Sequence, residues 1–168
     1  MSIVFARVDS RLFHGQIIES WVPETSTSMV IVADDSAASN PFQKKVMELS
    51  APKGISLRVE GIDEAVADLS SERFAGERVM LIFASLHDAF EAYKKGIRFD
   101  EINIGNVGHC QGKRQVTSSI CLNDEDVSDL KAIAKTGVSV DVRGVPRDKP
   151  KGLQDILEIY EASQRRES

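Results

Sequence analysis

No stretch of this sequence approaches the roughly 20 apolar residues that a membrane-crossing helix requires. Its N-terminus also lacks a basic region leading into a signal-type apolar core. A cytoplasmic location is the expectation. Positive charge is scarce: the net charge is −5, and the only basic run, Gln164-Arg165-Arg166, falls in a C-terminal tail over about 163–168 that is expected to be flexible. With one Trp and two Tyr, stacking platforms are few as well, so nucleic acid is not expected as a partner. The two cysteines, Cys110 and Cys121, form no CxxC and read as reduced thiols, not as a disulfide framework or a zinc site. Histidines 14, 87 and 109 are too dispersed for a local metal-ligand set, and there is no GxSxG for acyl transfer. Neither a metal nor a cofactor is expected.

What remains is ordinary globular material, with 42% hydrophobic residues over a length of 168 that suits one domain spanning 1–168. Short apolar runs recur: "IVFARV" at 3–8, "MVIVA" at 29–33, "ISLRV" at 55–59, "RVMLIF" at 78–83, "INIG" at 102–105, "QVTSSICL" at 115–122 and "VSVDVR" at 138–143. Several are continuous, as in parallel strands covered on both faces. Helix punctuation lies between them. Asn40-Pro41 precedes Phe42, Val46 and Leu49; Ser85 with Asp88 precedes Phe90 and Tyr93; Asn123 opens a run closed by Gly137; and Leu153, Ile156, Leu157 and Tyr160 mark a last amphipathic helix. The order predicts an α/β fold, a mainly parallel open sheet of about seven strands with helices on both faces. Ligands of such sheets gather beyond the carboxyl ends of the strands, which singles out loops 9–15, 34–40, 84–86 and 105–113.

The first of these loops reads "DSRLFHGQ", and Gly15-Gln16 should open a helix through Ile17, Ile18, Trp21 and Val22 that ends before Pro23. His14 thus stands at the positive end of a helix, where an anion is favoured, and Arg11 can add a charge-assisted contact to it. A histidine hydrogen-bonded within a loop fits the same spacing. Loop 105–113, "GNVGHCQGK", fails as a P-loop: three residues, not four, separate Gly108 from Gly112, and Arg114 stands where Ser or Thr should bind magnesium. "VIVADDS" resembles the acidic pair of a receiver domain, but the later strand end that should carry a phosphoacceptor reads Phe83-Ala84-Ser85. Ser85 is left with two roles, helix cap or phosphate donor.

Taken together, "ARVDSRLFHGQI" followed by Trp21, "VIVADD", "AGERVMLIF", "INIGNVG", "QGKRQVTSSICL" and "VSVDVRGVP" run through essentially the whole chain in order. In that order they resemble the IIB component of the mannose/fructose/sorbose family of the phosphoenolpyruvate-dependent sugar phosphotransferase system. The resemblance implies that His14 is phosphorylated, at Nδ1, with Arg7, Asp9, Arg11, Gly15 and Gln16 around it and Ser85 in support. Asp35, Asn106, His109 and Phe13 are candidates for the rim, Phe13 as an exposed contact for a partner. It implies a protein-Npi-phosphohistidine–sugar phosphotransferase that takes its phosphoryl group from a IIA protein. The group then goes to a sugar held by membrane IIC and IID components, at the inner face of the membrane. A carrier that reports sugar supply to a regulatory partner stays open as an alternative, as does a small-molecule binding domain. The family also implies an antiparallel edge strand and a first strand lying between the fourth and fifth. One position departs from the family: the loop commonly holds two consecutive acidic residues, and here the second is Ser10.

Overall fold

The computed structural model describes residues 2–167. Six parallel strands form the main sheet: β1 (Ser2–Asp9), β2 (Met29–Ala33), β3 (Ser56–Glu60), β4 (Arg78–Phe83), β5 (Glu101–Asn106) and, late in the chain, β8 (Ser139–Asp141). Their order is β3-β2-β4-β1-β5-β8, so the first strand does lie between the fourth and fifth. The antiparallel pairing is not at an edge of this sheet. It belongs to a separate hairpin, β6 (Arg114–Thr117) and β7 (Ile120–Leu122), into which the single run "QVTSSICL" divides at Ser118-Ser119. A lone parallel bridge from Val107 to Ile120 ties the hairpin to the end of β5.

Strand side chains alternate between faces, and the core divides accordingly. Ala6, Val8, Ile31, Leu81, Phe83, Ile102 and Ile104 point to one face. There they meet α4 (Ile62–Ser70), α5 (Leu86–Lys94), α6 (Asp124–Lys135) and α7 (Leu153–Glu167). Phe5, Val30, Val32, Met80 and Ile82 point to the other face, covered by the segment through α1 (Val22–Glu24) and by α2 (Asp35–Ala38) and α3 (Pro41–Ser50). The apolar cluster under α1–α3 takes its strand residues from β3, β2, β4 and β1, four of the six strands. Beyond that cluster, where β1 meets β5 and β8, the residues that alternation places there are polar: Arg7, Asp9, Asn103 and Asp141, all buried.

Several local expectations are revised. Helix α7 continues to Glu167, so most of the segment read as a flexible tail is helical; Ser168 lies outside the described residues. Phe42, Val46 and Leu49 mark α3 in the sequence but face solvent, and Met47 makes the core contact instead. The first helix does not stop before Pro23. Its middle, Ile17–Trp21, is wound as a π-helix, and the chain then passes through Pro23 to Glu24. A π turn shifts the hydrogen-bond register by one residue, which accommodates a proline that cannot donate.

Candidate functional site

The site is built on the last residues of β1. Asp9 is fully buried, and burial alone would push its carboxyl up. The hydrogen bonds from His14 and Arg11 and the charge of Arg7 outweigh this and hold it well below the usual carboxylate range. Its Oδ2 accepts from Arg7 Nη2 at 2.9 Å, Arg7 Nε at 3.2 Å, Arg11 Nη2 at 3.0 Å and His14 Nε2 at 3.1 Å. Its Oδ1 accepts the Arg11 backbone N–H and Arg11 Nε, both at 3.0 Å. An ionised carboxylate can only accept, so His14 Nε2 must carry the proton of that bond. The lone pair of a neutral imidazole is then on Nδ1, which makes no hydrogen bond among the described residues. With 20% of its side chain exposed, His14 is reachable from solvent.

Arg7 sits beneath this loop, fully buried. Burial pushes its guanidinium down, while the Asp9 charge opposes the shift. Nη1 donates to Asn103 Oδ1 at 2.6 Å and to the Arg143 carbonyl at 3.2 Å. Asn103 Nδ2 in turn donates to Asp141 Oδ2 at 2.8 Å, and Asp141 is gripped by Arg143 Nε at 2.9 Å. Trp21 packs against both guanidinium groups, 5.7 Å from Arg7 and 5.4 Å from Arg143, and its Nε1 donates to the Gly144 carbonyl at 2.9 Å. Gly105 makes room for Arg7: a Cβ there would fall on the guanidinium carbon. The register of β1 against β5 skips Gly105 between Val8 and Asp9, the local bulge that lets the backbone pass so close.

The remaining expectations divide. Arg11, 45% exposed at its side chain, joins Gln16 through Nη2 to Oε1 at 3.1 Å, so Arg7, Asp9, Arg11, His14 and Gln16 form one cluster with one net positive charge from two arginines and one aspartate. Gly15 is exposed, with open space where a Cβ would stand. Asn106 reaches the loop through Ser10, whose Oγ donates to Asn106 Oδ1 at 2.7 Å and accepts from the Gly108 N–H at 3.3 Å. Where the family pattern places a second carboxylate, this chain has a hydroxyl that splices the loop to segment 106–108. His109 is exposed on that segment and forms no hydrogen bond to the Asp9 cluster among the described residues.

Ser85 caps α5, accepting from the Asp88 N–H at 3.1 Å and donating to Asp88 Oδ2 at 2.7 Å, so its hydroxyl is already engaged. Asp35 Oδ1 accepts the Ile62 N–H at 2.8 Å and so anchors the first turn of α4. Phe13 is a correction. It is 5% exposed, buried with Leu12, Ile17, Trp21 and Val22, because Leu12 takes a left-handed φ of 59° and both side chains turn into the apolar cluster. The cysteines are a second correction: Cys110 and Cys121 form a disulfide. Sequence reasoning missed Asn103, Asp141 and Arg143. A polar residue at every second place in an otherwise apolar strand was the signal, as in "INIG" and "VSVDVR".

Residues 3–168 match the family model described as PTS system sorbose subfamily IIB component. The mannose-specific EIIAB component of Escherichia coli K12 is 31% identical over 94% of this chain, and the chain spans about half (49%) of that longer protein. The sorbose-specific EIIB component of Klebsiella pneumoniae is 28% identical over 94% of this chain and 96% of its own length. The crystal structure of the IIBSor domain of the sorbose permease from Klebsiella pneumoniae matches with a TM-score of 0.90 at 28% identity, over 94% of this chain and 98% of that one. The fold, the match along nearly the whole chain and the histidine loop agree: this chain belongs to the sorbose subfamily of phosphotransferase-system IIB components.

Proposed function

We propose that the chain carries a phosphoryl group on His14 Nδ1, accepting it from a phosphohistidine on a IIA protein and passing it to a sugar held by membrane IIC and IID components. The reading rests above all on the Asp9–His14 contact of 3.1 Å, which keeps the proton on Nε2 and leaves Nδ1 as the nucleophile. In the transfer, the Nδ1 lone pair attacks phosphorus in line. The N–P bond of the donor breaks, and its electron pair returns to the donor imidazole.

Positive charge then develops on the His14 ring, and the buried Asp9 carboxylate balances it. Arg11 and the first-turn amides at Gly15 and Gln16 are placed to hold the equatorial oxygens, since the first N–H groups of a helix lack intrahelical acceptors. One N–P bond replaces another, so the step is close to thermoneutral and reversible, and positioning and charge stabilisation are the protein's contribution. No helix among the described residues is long and apolar enough to cross a membrane. That agrees with a cytoplasmic carrier that visits the inner face of the membrane through its partners.

The test is direct. Incubated with phosphoenolpyruvate, the general phosphocarriers and a matched IIA, the protein gains one acid-labile phosphate, and His14→Ala gains none. A His14→Ala variant that still took up the phosphate would overturn the assignment.

A further inference from the structure

The Cys110–Cys121 disulfide lies close to the phosphorylation loop, and its two ends differ in a telling way. Cys110 is exposed on segment 107–113, whereas Cys121 is 1% exposed within β7. Their Cα atoms are 5.2 Å apart. Val107 is held on β7 by two backbone bonds, Val107 N–H to Ser119 O at 2.9 Å and Cys121 N–H to Val107 O at 2.8 Å. Lys113 is held at the other end by its ion pair to Asp126 at 2.7 Å. Between these anchors, residues 108–112 are tied to their surroundings, among the described residues, by the Gly108 N–H to Ser10 Oγ, the turn bond from Lys113 N–H to Cys110 O at 3.0 Å, and the disulfide. Only the disulfide is covalent. Ser10, which receives the Gly108 N–H, directly follows Asp9, which holds His14, and precedes Arg11, which is paired to Asp9.

We propose that Cys110–Cys121 is a thiol-exchange site whose oxidation state sets the order of the His14 rim, with Ser10 as the connector. A cellular dithiol is the reactant class. One of its thiolates attacks the exposed Cys110 Sγ, the S–S bond breaks, and Cys121 leaves as a thiolate that takes up a proton. The second thiol of the reductant then closes on the first and releases Cys110 as a thiol. Two electrons and two protons pass to the protein, and the reductant leaves as its own disulfide. In the oxidised form the segment is pinned, and the Gly108 N–H adds a tie to Ser10 beyond the two by which Asn106 holds it beside the Asp9–Arg11 pair. In the reduced form, residues 108–112 keep two hydrogen bonds among the described residues and no covalent tie, and the rim that a partner must meet is loose. The proposal rests on the phosphocarrier reading for its effect on transfer, though not for its effect on structure.

The experiment uses the full chain equilibrated in defined ratios of reduced to oxidised dithiothreitol, with thiols counted by alkylation and mass spectrometry. Amide exchange over 107–113, the NMR shifts of His14 and the rate of phosphate uptake from phosphorylated IIA are followed in parallel. On reduction we expect exchange at the hydrogen-bonded Gly108 and Lys113 amides to speed at least ten-fold, the His14 signals to move and uptake to slow at least three-fold. Cys110→Ser, a change at an exposed position, should match the reduced protein at every ratio. Ser10→Ala should still form the disulfide but lose the redox dependence of the His14 signals.

Unchanged exchange and unchanged His14 shifts between the two forms would overturn the proposal, as would His14 shifts that follow the redox ratio equally in Ser10→Ala. If neither form takes up phosphate, it is the carrier reading that fails, and the exchange and NMR results still decide the redox site.

Discussion

Two glycines beside the site should respond in opposite ways to the same change. Gly105→Ala places a methyl group on the Arg7 guanidinium, a group with no exposed surface and with Nε, Nη1 and Nη2 all engaged. Arg7 cannot swing away without leaving Asp9, and the bulge that brings the Gly105 backbone so near is fixed by the β1–β5 pairing. Overpacking costs about 1–3 kcal/mol, and parting a buried ion pair about 3–5 kcal/mol. A loss of at least about 3 kcal/mol follows. For a urea m-value of about 2 kcal/mol/M, that moves the unfolding midpoint down by about 1.5 M.

Gly15→Ala meets open space at a helical position and should leave stability unchanged or raised by up to about 1 kcal/mol, a midpoint shift of at most about 0.5 M. Urea titration monitored by the fluorescence of the single Trp, Trp21, which lies against Arg7, reads both variants. A Gly105→Ala midpoint within about 0.3 M of the parent would refute the claim that Arg7 is locked in place.

Arg11→Ala should cost at most about 1 kcal/mol of stability, because its ion pair is half exposed, yet slow phosphate uptake more than ten-fold; rapid-quench assays beside melting curves separate the two effects. Asp9 is held low in the folded state, so the folded protein binds fewer protons than the unfolded one in the acid range, and stability rises with pH there. Its contribution is complete above about pH 4 and lost as the pH falls below that; Asp9→Asn should flatten this limb in acid unfolding curves. Glu60 has the opposite sign. Burial pushes its carboxyl up against the pull of Arg58, and its Oε2 has no hydrogen-bond partner among the described residues, so its cost appears as the pH climbs. Glu60→Gln should gain up to about 1 kcal/mol at pH 7 and nothing at pH 4, measured by denaturant titration at both. Reduction of the disulfide reopens a loop whose ends are 11 positions apart and should cost about 2.8 kcal/mol of stability on chain-entropy grounds, read as a lower melting temperature in dithiol.

What could be read from the sequence was largely what repeats along it. The continuous apolar runs placed β1 to β5, and Asn40, Ser85 and Asn123 marked helix starts where their side chains do accept from backbone N–H groups. Family resemblance placed β1 between its two neighbours. What was hidden depended on partners distant in the chain. "QVTSSICL" is uniformly strand-like, and only the pairing of Gln115 with Cys121 shows that it folds back on itself. Asn103 and Asp141, 38 positions apart, look like minor interruptions of apolar strands until the parallel pairing of β5 with β8 sets them against each other. Phe13 was misjudged because nothing in the sequence foretells the left-handed turn at Leu12. The cysteine pairing depended likewise on the bridge between Val107 and Ile120.

If His14 is the phosphoryl carrier proposed above, the Asp9–His14 contact has a kinetic consequence. With Nε2 closed off by a carboxylate that has no exposed surface, the ring can be approached only along its other edge. A donor and an acceptor of the phosphoryl group must then occupy the same space in succession, and no complex of all three can form. Such a carrier obeys ping-pong kinetics. Its throughput is limited by how quickly each visitor leaves, so on this site a tightly binding partner acts as an inhibitor.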